Sequence, residues 1–294
     1  MYPVTSLSQR DRNLGKATPL RLAGIEHQVF GDGRPYTPVL LSYFADLADQ
    51  FRQPYYEEYF ARATPNSFTE MAAEMLPAAT ASAEPFDLVV VAHTTPDARP
   101  GRPACFLSHA LTGKALAFAV SEQGTAAPFT AIRLAGDYAR AGGYGRALVL
   151  IVEQSFLWNG AKTELPAGTR MPGRDSAVAV VLATDGALGP VTVRHFADVA
   201  AVEVDEVVTA ALRDLAASDL PTTMIAGAGV EGELGVDYPI QRAAGDLPCT
   251  GVWSGFAGGL AQWTSTGQRV VLVDYDPTLR YVSLCTMDVP PGPG

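Results

Sequence analysis

The sequence is short of the residues that most reactions need at neutral pH. Only four histidines occur among 294 residues (His27, His93, His109 and His195) and only three cysteines, Cys105, Cys249 and Cys285. The cysteines are widely spaced and form no CxxC pair, which argues against a zinc ribbon or a disulfide framework and for a reduced, cytoplasmic protein. Lysine is nearly missing, with three residues against eighteen arginines, and charged residues make up only 18% of the chain. A net charge of −10 argues against a binder of nucleic acid. Arg133, Arg140 and Arg146 are scattered candidates for a local basic patch that an acidic carrier would need. No apolar run is long enough to span a membrane, and the polar N-terminus lacks the apolar core of a signal peptide. The glycine runs Gly227–Gly229 and Gly255–Gly259 lack the spacing and strand context of a dinucleotide or phosphate loop. No metal and no cofactor are expected.

What the chain does have is apolar residue in quantity, 48%, arranged in alternation. Residues 1–19 are polar and irregular, an arm. A first strand is expected near 20–26, and two short helices over 39–63, interrupted at Pro54. The aromatics of 55–60 are read as packing. From 67 the pattern is regular: a helix over 67–82 with Ser67 or Asn66 as its N-cap and Glu70 completing a capping-box pattern from Ser67, strand 88–92, helix 103–112, strand 115–120, helix 125–141, strand 146–153, and, after a Gly/Pro-rich insert at 158–174, strand 177–183. The order of element types then repeats: strand 191–196, helix 203–217, strand 222–226, a loop-rich stretch 227–246, helix 254–265, and strands 269–274 and 279–286. Uninterrupted apolar strands imply sheets covered on both faces. The reading divides the chain into an N-terminal segment 1–66, an α/β half 67–188 and a second α/β half 189–294.

The junction Leu116–Arg140 stands out. A short apolar strand turns at Gln123-Gly124 into a helix, which places Thr125 at the mouth of a helix N-terminus, where unpaired N–H groups stabilise an anion or activate a nucleophile. The pattern Gln-Gly-X-Ala-X-X-X-X-Ala-Ile at 123–132 resembles the nucleophile turn of thiolase-fold condensing enzymes, above all β-ketoacyl-acyl-carrier-protein synthase III. Phe86–Asp97 resembles the strand and loop before that turn, and Ala147–Glu153 the strand after its helix. The likeness implies a thiolase-like fold, two pseudo-equivalent α/β halves in an α-β-α-β-α layering.

In that family X is Cys; here it is Thr125. The family's His follows a strand in the second half, where this chain has Thr222–Gly229 without His. Its Asn opens the last long helix, where this chain reads Thr250–Ala257 without Asn. The glycine pair that shapes the oxyanion hole is absent from 273–278, Val-Asp-Tyr-Asp-Pro-Thr. Four losses together imply that decarboxylative condensation is gone. The resemblance then implies a degenerate subunit that pairs with an active ketosynthase, or with itself, in polyketide, fatty-acid or other secondary-metabolite acyl-chain synthesis. Strand 115–121 would be the pairing edge and loop 94–104 would reach the partner's pocket, with acyl carrier protein or acyl-CoA as further partners. Two other readings stay open: an acyltransferase or thioesterase acting through Thr125 or a displaced Cys, and an acyl-CoA-binding regulatory protein. The candidate site is Thr125, with His93, Gln123, Gly124, Cys249 and Ser254 as possible pocket residues. His93 is considered because it ends a strand, and Cys249 because it precedes the 250–257 turn. Cys105 at a helix start, and Glu122 and Asp97 as acids or bases without a visible partner, complete the set.

Overall fold

The computed structural model describes residues 20–82, 84–158, 168–215, 218–232 and 234–292. The 1–19 arm and most of the 158–174 insert lie outside these. Among the described residues ten strands form two five-stranded mixed sheets of the same topology. In the first, β1 (Arg21–Val29), β5 (Ser176–Ala183), β4 (Arg146–Glu153), β2 (Leu88–His93) and β3 (Leu116–Val120) lie in that order. In the second the order is β6 (Val191–Phe196), β10 (Tyr281–Val289), β9 (Gln268–Asp276), β7 (Thr222–Ala226) and β8 (Ile240–Arg242). Each sheet has two parallel pairings at one end and two antiparallel pairings at the other. The repeat seen in element order is therefore a repeat of pairing. β1, although it precedes residue 66, is hydrogen-bonded along β5 and belongs to the first sheet.

The helices sort into three layers. α3 (Phe68–Ala79) and α4 (Pro103–Ala110) cover the outer face of the first sheet, with Phe68, Met71, Met75 and Leu107 packed on Val89, Val91, Leu148 and Leu150. α6 (Val204–Arg213) covers the outer face of the second through Val204, Val208 and Ala211. Between the sheets lie α5 (Ala127–Ala141) and α7 (Gly251–Thr266), whose Phe129, Ile132, Val252, Trp253 and Phe256 meet inward residues of both sheets in one core. Phe129 and Trp253 touch ring to ring at 5.2 Å. Alternation along β2 sends Leu88, Val90 and Ala92 inward and Val89 and Val91 outward. Truncating a large inner side chain such as Leu88 or Phe129 to Ala costs about 2–5 kcal/mol.

Local signals account for the elements. Ser67 caps α3, and its capping box with Glu70 is fully formed. α1 (Pro38–Gln50) starts at Thr37, whose hydroxyl accepts from Leu40 N, with Pro38 in the first turn. α2 (Glu57–Arg62) and α1 close over Tyr36, Phe44, Phe60 and Phe156, with Tyr59 stacked on Phe156 at 4.9 Å. Of the 55–60 aromatics, Phe60 is buried in this cluster and Tyr55 and Tyr59 pack against it. β8 lies inside the stretch expected to be loop. Among the described residues no helix is long and apolar enough to cross a membrane.

Candidate functional site

β3 ends at Val120, and the chain reverses through Glu122 and Gly124, both left-handed, at φ +58° and +48°. Gly124–Ala126 form a single 3-10 turn that runs directly into α5, with Pro128 in the first turn of that helix. Thr125 therefore sits, half-buried, at the entrance of an inner helix, as the strand–turn–helix pattern implied. Its amide is not open. Thr125 N–H donates to Asp276 Oδ2 at 3.1 Å, and Asp276 Oδ1 accepts from Leu279 N at 2.8 Å. Asp276 ends β9 of the other half and is 7% exposed. A methyl at residue 124 would lie 1.7 Å from Asp276 Oδ2, so only glycine lets this carboxylate reach the turn. A fixed negative group on the amide of residue 125 takes up the partial positive charge of the helix entrance.

Thr125 and Asp276 line a cavity of about 320 Å³ between the loop after β2, the 122–125 turn, residues 168–171 and the β9–β10 hairpin. Leu157, Met171, Pro277 and Leu279 supply much of its wall, and Glu122 is its second carboxylate. Its cation, Arg170, is bonded to Glu231 at 2.6 Å. The cavity has room for a small apolar group beside Thr125. A hydroxyl nucleophile also needs a base in reach, and the carboxylate nearest to residue 125 is the one already spent on its amide.

The second inner helix is entered in the same way. Glu153, fully buried at the end of β4, accepts from Cys249 N at 2.8 Å and Thr250 N at 2.9 Å, and from the hydroxyls of Thr250 and Ser176. Burial pushes its pKa up against these donors, which favour the charged form. Asp274, also inward on β9, accepts from Tyr275 N at 2.8 Å, and burial drives its pKa well up. Its carboxylate lies 2.3 Å from where a Cβ on Gly227 would stand, and a Cβ on Gly229 would meet the Tyr275 carbonyl at 1.8 Å. The loop after β7, where the resemblance implied a histidine, is closed onto β9.

The structure gathers some of the sequence candidates and separates others. Gly124 and Thr125 line the cavity. Gln123 precedes the 3-10 turn and its carbonyl accepts from Ala126 N. His93, at the outward parity of β2, leans on Phe68 of the outer layer at 5.2 Å, and its Nδ1 meets the Thr95 carbonyl at 2.8 Å. Burial lowers its pKa. It does not line the cavity, because strand alternation turns it to the other face. Cys249 is buried beneath the wall residue Pro248, and burial together with Glu153 and Asp274 pushes its thiol well above the usual range. Ser254 Oγ is buried in α7 without a hydrogen-bond partner, outside the cavity wall. Cys105 is exposed on α4. Asp97 holds Phe68 N at 3.2 Å and Arg99 N at 3.1 Å, a structural post at the start of α3.

The loop expected to reach a partner is largely committed to its own subunit. The carbonyls of Pro96, Asp97 and Ala98 accept bonds from Gln154, Trp158 and Tyr36, and Ala98 is fully buried. Pro96 and residues 100–102 are the part left exposed. Two of the scattered arginines are paired, Arg140 with Asp137 and Arg146 with Glu84. Among the described residues no three or more of His, Cys, Asp and Glu are grouped to hold a metal. Sequence reasoning missed Asp276, Glu153 and Asp274. The available signal was an acidic residue closing an otherwise apolar buried strand, at matching places in the two repeats.

No protein-family model and no curated protein matches this chain. Solved structures do. A 3-oxoacyl-(acyl carrier protein) synthase III from Pseudomonas aeruginosa PAO1 superposes over 95% of this chain and 100% of its own, with a TM-score of 0.59 at 17% identity. A tetronic acid condensing enzyme covers 91% of this chain and 99% of its own, at TM-score 0.62 and 16% identity. The acyltransferase ChlB3 covers 92% and 98%, at TM-score 0.56 and 16% identity. The chain has the thiolase-like fold. Near-complete coverage of both partners in each pair means that the thiolase-like unit accounts for both sheets and all three helix layers, with no added domain among the described residues.

Proposed function

We propose that this chain is a non-condensing, ketosynthase III-like subunit that pairs with a second thiolase-like chain in acyl-chain biosynthesis. One observation carries the reading: the amide of residue 125, at the entrance of the nucleophile helix, is bonded to the chain's own Asp276. An acyl-transfer site needs that entrance free to stabilise a thiolate and then an oxyanion. The closed loop at Gly227–Gly229 and the Glu153 carboxylate at the entrance of α7 stand where the resemblance implied His and Asn. Pairing is argued from β3. It is a sheet edge, Leu116 is 39% exposed and Ala119 is exposed, and an uncovered apolar edge invites another strand.

The test is co-expression with a condensing enzyme from the same source that keeps Cys, His and Asn. The expected result is a stable complex in size-exclusion chromatography, lost on Leu116→Lys with Ala119→Lys. A monodisperse monomer that binds no such enzyme would overturn the reading.

A second reading is favoured by Thr125 lining a cavity and by the likeness to an acyltransferase fold. It makes Thr125 an acyl acceptor, with intact mass after incubation with acyl-CoA as the assay. An adduct lost in Thr125→Ala would establish it in place of the first.

A further inference from the structure

The two repeats exchange carboxylates. β4 and β9 hold the same place in the two strand orders, and α5 and α7 are the two inner helices. The last residue of β4, Glu153, crosses to the entrance of α7, and the last residue of β9, Asp276, crosses to the entrance of α5. Each meets a backbone amide two positions before its helix begins, Cys249 ahead of Gly251 and Thr125 ahead of Ala127. Cys249 and Thr125 are therefore counterparts, and the chain carries a cysteine at the counterpart of its own nucleophile position. That cysteine is fully enclosed, its amide on Glu153.

Resting on the reading above, we infer that Asp276, rather than the mere want of a cysteine at residue 125, silences this turn, and that a cysteine restored there alone stays less reactive than a free thiol. The geometry gives the reason. Asp276 Oδ2 is hydrogen-bonded to the amide of residue 125 itself and stands against Gly124, so a thiolate on that residue would share the entrance with a carboxylate. Opposing charge at a helix entrance lowers a thiol's pKa, and a like charge within a few ångströms raises it. Gly124 exists to admit the carboxylate, which makes the closure a built contact and not a chance rotamer.

The experiment uses the full chain with Cys105→Ser, which removes the exposed thiol. Thr125→Cys is added alone, with Asp276→Gly, and with Asp276→Asn. Iodoacetamide alkylation, in which the thiolate displaces iodide, is followed by intact mass from pH 5 to 10. Thr125→Cys alone is expected to react more slowly than free cysteine at pH 7. The Asp276→Gly combination is expected to react at least about 10-fold faster, with its pH midpoint about one unit lower. Asp276→Asn keeps the size and removes the charge, so it carries the test if the glycine variant folds poorly; it is expected to gain most of the increase. Equal rates for Thr125→Cys with and without Asp276 would overturn the inference. That failure would leave the pairing of subunits untouched, because co-purification tests the pairing separately.

Discussion

Gly124→Ala measures how tightly the two halves are locked at this turn. The added methyl has two costs. Alanine at φ +48° is left-handed, worth about 1–2 kcal/mol, of which roughly 0.5 kcal/mol is returned by a stiffer unfolded chain. The methyl would also stand 1.7 Å from Asp276 Oδ2, so the carboxylate must leave. It then gives up its bonds to Thr125 N and Leu279 N, each worth about 1.5–3 kcal/mol as a bond to a charged group. The whole comes to about 3.5–7.5 kcal/mol, a fall in Tm of roughly 10 °C for a chain of this size. With Asp276→Gly already present, only the backbone cost of about 1 kcal/mol remains. The assay is urea unfolding of the four proteins of this double-mutant cycle, and the expected coupling is about 3–6 kcal/mol. Additive losses, or a loss near 1 kcal/mol for Gly124→Ala alone, would refute the claim that this glycine exists to admit the carboxylate.

Other consequences are sharp. Gly229→Ala places its methyl 1.8 Å from the Tyr275 carbonyl and is expected to cost at least about 3 kcal/mol in urea unfolding, more than Gly232→Ala in the open turn nearby. Native alkylation is expected to mark Cys105 alone, with Cys249 and Cys285 reacting only after unfolding, as counted by intact mass. Burial lifts the Asp97 carboxyl from 3.8 to about 6. The folded protein thus keeps a proton that the unfolded chain releases, so stability falls as pH rises from about 4 to 6, by up to about 2–3 kcal/mol. Asp97→Asn is expected to flatten that limb of a Tm-against-pH curve.

Most of the architecture was legible because its strands are buried on both faces. Arg146–Glu153, Val191–Phe196 and Thr222–Ala226 were placed to the residue, and the Ser67–Glu70 box fixed the start of α3. The same double burial hid the side on which His93 falls: when every residue of a strand is apolar, parity has no reference in the sequence. β8 was missed because three residues carry no period, and its place depends on pairing with β7. Helix α5 begins two residues later than its pattern suggested, after a 3-10 turn whose Thr125 amide answers to Asp276, 151 positions away. The strand–turn–helix junction at residue 125 was readable from the turn itself. What occupies it was not, since the occupant comes from the other repeat.

The most direct test of the central claim is intact-mass analysis of the purified chain after incubation with acyl-CoA. With the amide of residue 125 bonded to Asp276, no acyl group is expected to be carried by the protein. An acyl adduct mapped to Thr125, and lost in Thr125→Ala, would contradict the account.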